Sequence, residues 1–340
     1  MSEMELKSQQ LIAVNSETEV QLPFYINAGS TRLECSRILR LLVGKRLACK
    51  GYYQEQTVLM KIFFGASYKR RYQRELDGVR LIQRKGICTP RLIASNIDQE
   101  SELAYIVFDY LDKVESLDDR LKQTSTAGQR LAVFKQALEL IAQMHGASIY
   151  QRDVHLDNFL IDGSTVYLID GDQIEKEAGE NGLLYKFVVK NLAMFFTQLY
   201  PWETAQIDSL INTYIKLRMH DFPTSFCDDI RRQLHEYKQW REKKYIEKKV
   251  FRRCSAFDVI KNGSQYCVYS RELEQSRVEQ FLANPDKAIA NGKVLKSGRS
   301  AIVVKVKLNG QSYIVKRYNR KSYLHQIARS LIPSRAAVSW

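Results

Sequence analysis

Apolar and polar positions change period several times along the chain, and the changes divide it into predicted elements. Residues 1–28 are polar and weakly patterned, which predicts an irregular lead-in tail. From about 33 to 64 the pattern is that of strands. Val58-Leu59-Met60-Lys61-Ile62-Phe63-Phe64 is an apolar run broken by one lysine, as in a buried strand. Tyr72, Leu76, Val79 and Ile82 then recur at three- and four-residue spacing, predicting a helix over 68–85 that Cys88-Thr89-Pro90 ends. A further strand over 105–108 runs into Asp109-Tyr110-Leu111 as a hinge-like segment.

Phe134, Leu138, Ile141 and Met144 share one face of a strong helix over 129–145, stopped by His145-Gly146. Short strands over 159–161 and 166–169 flank a turn at Asp162-Gly163, and the chain then reads as helical to about 250. Strands first and helices later is an α+β, two-lobe pattern. Near the end the strand pattern returns. The alternating run 301–308 leads through Asn309-Gly310, a strong hairpin signal, into 311–318. This layout loosely repeats that of 39–64, with Gly298 answering Gly44 and Tyr313-Ile314-Val315-Lys316 answering Val58-Leu59-Met60-Lys61. The expected organisation is a tail (1–28), a main domain (29–250, lobes about 29–108 and 112–250), a connector (251–284) and a partial second first lobe (285–340).

Composition adds limits. The 340 residues are 45% hydrophobic and 26% charged, as in ordinary globular proteins, and the net charge of +14 favours anionic partners. The six cysteines are scattered with no C-x-x-C pair, so they are read as reduced thiols. Met1-Ser2-Glu3-Met4-Glu5 carries acid early and no apolar core, and no run approaches the ~20 apolar residues of a membrane helix. A cytoplasmic protein is expected, with attachment to a membrane surface open. The stretch 240–253 is dense in Lys and Arg and reads as a solvated helix face or a surface for anionic lipid. Nucleic acid is not expected, because no aromatic platform interleaves with the basic residues.

The candidate chemistry lies where strands give way to helices. Asp153 and Asn158 in Arg152-Asp153-Val154-His155-Leu156-Asp157-Asn158 have the spacing of a kinase catalytic loop, and Asp170 ends a strand twelve residues after Asn158. Phosphoryl transfer from ATP needs cations on the phosphates, oxygen ligands for Mg²⁺ and a carboxylate that orients the attacking hydroxyl. Asp153 is the candidate for that carboxylate, and Asn158 and Asp170 for the metal ligands. Lys61 is the candidate for the α- and β-phosphates, with Glu75 on the next helix as the residue that fixes it. Singly, a strand lysine or a helical glutamate is ordinary; their order along the chain carries the reading. Gly44 and Lys45, with Arg46, stand where a glycine loop would cover the phosphates, although only one glycine is present. Asp109 and Leu111 are the hinge candidates for nucleotide contact. His155 reads as a brace for Asp153 or a backbone-bonded loop residue, His145 as structural, and Asp172 as a further ligand or a turn residue.

With these motifs in place the chain resembles the bacterial lipopolysaccharide core kinases, the heptose and Kdo kinase group of the protein-kinase-like superfamily. Arg74-Glu75-Leu76-Asp77-Gly78-Val79, Gly86-Ile87-Cys88-Thr89-Pro90-Arg91-Leu92, the loop from Arg152 through Leu160, and Leu168-Ile169-Asp170-Gly171-Asp172 carry the likeness. The resemblance implies a bilobal protein-kinase-like fold, ATP and Mg²⁺, and a sugar hydroxyl on the lipid A–core precursor as acceptor. It also implies work at the cytoplasmic face of the inner membrane. Lys296-Ser297-Gly298-Arg299-Ser300-Ala301, Tyr313-Ile314-Val315-Lys316-Arg317-Tyr318-Asn319 and Pro333-Ser334-Arg335-Ala336-Ala337-Val338-Ser339-Trp340 look like the first lobe of a second related unit. No glutamate follows Lys316, so that unit is expected to be inert. The alternatives are a Ser/Thr protein kinase, which the short stretch after Asp172 disfavours, and a pseudokinase scaffold, which the thin glycine loop favours.

Overall fold

The computed structural model describes residues 4–14, 19–179, 182–245, 252–254, 257–263, 265–299 and 301–318. They fall into two units, Met1–Gln239 and Trp240–Trp340. The first begins with β1 (Met4–Glu5), α1 (Ser8–Ala13), β2 (Phe24–Ala28), β3 (Thr31–Leu42), β4 (Arg46–Tyr53) and β5 (Gln56–Phe63). Helix α2 (Tyr68–Arg84), β6 (Leu92–Asp98) and β7 (Leu103–Asp109) follow. The strands form one sheet in the order β1-β2-β3-β4-β5-β7-β6, antiparallel except at β1–β2. Period-two alternation on β5 assigns its faces. Val58, Met60 and Ile62 enter the core on one side, while Phe63 joins the cluster that Tyr72, Leu76 and Val79 of α2 form on the other. Lys61 is in step with Phe63 and so is aimed at the helix.

Residues 4–14 and 19–28 differ from the irregular tail expected of them. Leu6 and Leu11 are buried, and Phe24, Ile26 and Ala28 alternate into the core. Two-residue β1 and six-residue α1 are too short to show a period; docking on the sheet orders them.

The helical lobe contains β8 (Glu115–Ser116), α3 (Leu117–Gln123), α4 (Ala127–Gly146), β9 (Ile149–Gln151), β10 (Phe159–Asp162) and β11 (Thr165–Leu168). It continues through β12 (Ile174–Lys176), β13 (Ala178–Gly179), β14 (Gly182–Leu183), α5 (Tyr185–Phe196), α6 (Ile207–Arg218) and α7 (Phe226–Tyr245). Thr126 and Gln129 form a reciprocal capping box that starts α4, and Phe134, Leu138, Ile141 and Met144 all lie in the core. The region after residue 170, expected to be helical, first forms short ladders: β12 pairs with β9 and β13 with β14. Pairing partners, which no local period reveals, fix such short strands. A β-rich lobe followed by a helical lobe makes this unit an α+β, bilobal protein-kinase-like fold.

In the second unit β15 (Phe257–Asn262) and β16 (Gln265–Ser270) form a hairpin, followed by α8 (Gln275–Ala283) and α9 (Pro285–Ala290). The strands β17 (Lys293–Ser297), β18 (Ala301–Leu308) and β19 (Gln311–Tyr318) form a further antiparallel sheet. Asn309 and Gly310 both take positive φ, 47° and 81°, as a two-residue hairpin turn requires. Of the positions singled out above, 246–251 of the basic stretch, Ser300, Asn319 and 333–340 lie outside the described residues. Among the described residues no helix is long and apolar enough to cross a membrane.

Two internal features position the centre of the first unit. One is a close approach of backbones: a Cβ on Gly78 of α2 would run into the carbonyl of Gly171. The other is a chain of polar groups. His145 is fully buried, with Nε2 3.0 Å from Asn191 Oδ1 and Nδ1 2.8 Å from the Tyr214 hydroxyl. Asn191 Nδ2 donates to the Gln151 carbonyl at 2.7 Å, so its Oδ1 is the acceptor facing the imidazole. His145 is therefore neutral, donating from Nε2 and accepting the tyrosine proton at Nδ1. Burial pushes its pKa down to about 3.

Gly78→Ala should lower the melting temperature by roughly 3–10 °C despite alanine's better helix propensity, because the two backbones must separate. Gly128→Ala, at an open position on α4, should leave it unchanged or slightly raised; differential scanning calorimetry reads both. His145 stays neutral in the fold but takes a proton near pH 6.5 once unfolded. Its contribution is complete above that pH and is lost as pH falls toward 3, by at most about 1.4 kcal/mol per pH unit. His145→Gln should accordingly show a shallower fall in melting temperature between pH 7 and pH 5 than the parent protein.

Candidate active site

Lys61 reaches two carboxylates at once. Its Nζ is hydrogen-bonded to Glu75 Oε1 and lies 3.3 Å from Asp170 Oδ1. Arg46, the first residue of β4, adds a second cation, with Nη1 3.5 Å from Glu75 Oε2 and 3.6 Å from Asp170 Oδ1. Glu75 has 0% exposure, and the backbone N–H groups of Gly171 and Asp172 also donate to its two oxygens, each at 3.3 Å. Burial would lower the Lys61 pKa, but Glu75 and Asp170 outweigh it and hold the ammonium above its ordinary value. For Asp170 burial works upward, and the charges of Lys61 and Arg46 prevail, so the carboxyl lies below the usual carboxylate range. Lys61 and Asp170 are both charged at neutral pH.

Asp170 adopts a left-handed backbone, φ 73°, a conformation that non-glycine residues hold only when their surroundings enforce it. Here the amide of Gln151, itself buried, supplies part of the enforcement. Gln151 Nε2 donates to the carbonyls of Ile169 and Asp170 at 2.9 and 3.2 Å, while its Oε1 accepts from Asn158 Nδ2 at 3.0 Å. Asn158 Nδ2 also donates to the Asp153 carbonyl at 3.1 Å, and the Ile169 N–H donates to the Asn158 carbonyl at 2.9 Å. One glutamine thus ties the loop holding Asp153 and Asn158 to the strand end holding Asp170. With its amide nitrogen so engaged, Asn158 has its Oδ1 as the remaining ligand atom. Asp153 Oδ1 lies 2.9 Å from His155 Nε2, and both side chains reach solvent.

Glu75, Asp170 and Asp172 each bring a carboxylate oxygen within 4.8 Å of the others. Glu75 is already enclosed by four donors, which leaves Asp170 and Asp172, with Asn158, as the oxygen set suited to a hard cation. Beside them a cavity of about 60 Å³ opens between the lobes. Leu59 and Phe108 of the sheet and Val79 of α2 line it with Leu160 and Ile169 of the other lobe, and Lys61 and Asp170 stand at its polar end.

The structure gathers Lys61, Glu75, Asn158 and Asp170, with Asp153 on the same loop. The other nucleotide candidates stand apart from this cavity. Gly44, at φ 65°, turns the chain between β3 and β4, and the Lys45 carbonyl accepts from Phe64 N at 3.1 Å and Arg71 Nη2 at 3.3 Å, while the Lys45 side chain is exposed. The Asp109 carboxylate is engaged by Arg91 at 2.8 and 3.1 Å and by Gln56 at 3.3 Å, and its pKa is lowered chiefly by the Arg91 hydrogen bonds. Half-buried Leu111 follows it. Gln151 escaped sequence reading, although it stands two residues before Asp153, where an H-R-D loop has histidine. Gly78 escaped it too, since a helical glycine signals nothing until its neighbour is known.

No curated protein matches this chain. Among solved structures it is similar to one described as WaaP in complex with acyl carrier protein, at 16% identity and a TM-score of 0.42, covering 62% of this chain and 88% of that one. The Lipopolysaccharide kinase (Kdo/WaaP) family matches residues 45–214, half of the chain, a span that includes Arg46, the loop of Asp153 and Asn158, Asp170 and Tyr214. On that match the chain belongs to the lipopolysaccharide kinase (Kdo/WaaP) family, and is a phosphotransferase.

Proposed function

We propose that the protein is an ATP- and Mg²⁺-dependent kinase that phosphorylates a sugar hydroxyl, on heptose or Kdo, of the lipid A–core lipopolysaccharide precursor. The observation that carries this reading is the meeting of Lys61, Arg46, Glu75 and Asp170 at the mouth of the interlobe cavity, next to the loop of Asp153 and Asn158. Two cations beside a charged aspartate are the groups that a triphosphate and its metal require. Mg-ATP, when bound, supplies the transferable phosphoryl group and the metal's charge. Lys61 and Arg46 would hold phosphate oxygens, and Asp170, Asn158 and Asp172 would offer oxygen ligands to the metal. Asp153 orients the acceptor hydroxyl and takes its proton, with His155 fixing the carboxylate. The Gly44-Lys45 turn and the Asp109–Leu111 hinge are proposed as the rims that hold the nucleotide, the hinge through its backbone.

The acceptor assignment rests on family membership and on the net charge of +14, which suits a phosphorylated glycolipid and an anionic cytoplasmic leaflet of the inner membrane. A peptide acceptor is disfavoured by the segment after Asp172, which β12 and β13 occupy almost up to α5. Residues 285–340 are proposed as a catalytically silent partial second lobe.

Asp153→Asn should lower phosphate transfer to core oligosaccharide by about 10²–10⁴-fold while keeping thermal stabilisation by Mg-ATP. Asp170→Ala should lose both. Transfer is followed with labelled ATP against core-oligosaccharide acceptors, generic peptides and no acceptor. Labelled peptide with unlabelled sugar would make the protein a protein kinase, and equal background in parent and variant would make it a pseudokinase.

A further inference from the structure

The turn between β3 and β4 is too tight to wrap a phosphate chain with its backbone. The Lys45 N–H closes it on the Leu42 carbonyl at 2.9 Å. The Gly44 carbonyl lies against Gly65, where an added Cβ would come within 2.4 Å of it. A G-x-G-x-x-G loop spreads over ATP phosphates, and this closed hairpin with its single glycine does not. Phosphate contacts on this side of the cavity must then come from side chains.

The register of β3 brings one there. Its pairing with β4 passes from Ile38 opposite Cys49 to Arg40 opposite Ala48, and the shift skips Leu39. An unbroken ladder would set Arg40 opposite Leu47, whose side chain is buried in the core. The bulge turns Arg40 to the other face, and re-aiming a side chain is a common role of such an extra residue. Ala48 is in turn the direct partner of Lys61 on β5. Direct partners share a face, so Arg40, Ala48 and Lys61 form a row on the face that Leu59 and Lys61 turn toward the interlobe cavity. Arg40 and Lys61 stand two strand spacings apart, roughly 10 Å between backbones, and the side chain between them is a single methyl group.

Arg40 is exposed, and its charge is felt at the active site. Burial raises the Asp170 pKa, while Lys61, Arg46 and then Arg40 lower it. Lys61 and Arg46 already share Glu75 and Asp170 between them, so Arg40 brings a third cation to that cluster. A second bulge sets Arg37 opposite Lys50 on the same face, one pair further from Lys61. Lys50 is held there by Asp112 at 3.2 Å and by the ring of Tyr110.

We infer that Arg40 is a further nucleotide-binding residue, whose guanidinium holds the phosphate chain of Mg-ATP where a glycine loop would use backbone N–H groups. The inference rests on the reading of the protein as an ATP-dependent kinase. A planar guanidinium suits the role because it can give two parallel hydrogen bonds to phosphate oxygens.

The test uses the full chain and binding rather than turnover. Isothermal titration with the non-hydrolysable analogue Mg-AMP-PNP, and with adenosine, is run on the parent, Arg40→Met, Arg40→Lys and Arg37→Met. Arg40→Met should weaken the analogue by about 10–100-fold and leave adenosine unchanged, because only the phosphates lose a partner. Arg40→Lys should lie between Arg40→Met and the parent, and Arg37→Met, which removes the same charge one pair away, should cost no more than about threefold. The affinity of the parent should fall more steeply with added salt than that of Arg40→Met. The ligand-free melting temperatures should agree; if Arg40→Met melts early, Arg40→Gln replaces it. A parent that binds no analogue overturns the ATP reading and this inference with it. A parent that binds it no better than Arg40→Met does, an equal loss in Arg37→Met, or an equal loss of adenosine overturns the inference alone.

Discussion

A carboxylate with no solvent exposure is expensive unless its lone pairs are met, and Glu75 is such a group. It is met by Lys61, Arg46 and the N–H groups of Gly171 and Asp172, which come from two strands of the sheet and from the turn after Asp170. The buried charge therefore specifies how the sheet, α2 and the Asp170 turn come together. Removing any one partner leaves the others around an uncompensated ion. The approach of α2 to the turn, close enough to require Gly78, serves the same end: only bare backbone lets Gly171 come within donor range of Glu75.

A second layer fixes the loop from behind. His145, Asn191 and Gln151 form a buried line of neutral hydrogen bonds from α4 and α5 to the loop of Asp153 and Asn158. At its end the Gln151 amide holds both Asn158 and the Asp170 backbone. Neutral groups suit this role because every donor in the line meets an acceptor, so rigidity is obtained without burying more charge. The charged cluster and the neutral line meet at Asp170, which accounts for its left-handed backbone in a chain segment with no glycine at that position.

The two units distribute cations differently. In the first, Lys61 and Arg46 are matched by Glu75 and Asp170, so positive charge is held in a fixed geometry. In the second, Lys293 and Lys305 face each other across an antiparallel pair.

Some of this was legible in residue order. The apolar run at 58–64, the three-and-four spacing of α2 and α4, and the Asn309-Gly310 hairpin each rest on local periodicity, which sequence displays directly. The loop from Asp153 to Asn158 and the strand-terminal Asp170 were also legible, because spacing within one loop survives in one dimension. The docking of β1, α1 and β2 and the short β12–β14 ladders were not, since partners distant in sequence order them. The same holds for Arg46 joining Lys61, for Gln151 tying two motifs together, and for Lys293 facing Lys305. Sequence determined which side chains carry charge and which strand faces they occupy. Only the tertiary structure decided which charges meet an opposite and which are left facing their own kind, because Coulomb energy depends on distances that close only when the sheet and helices pack.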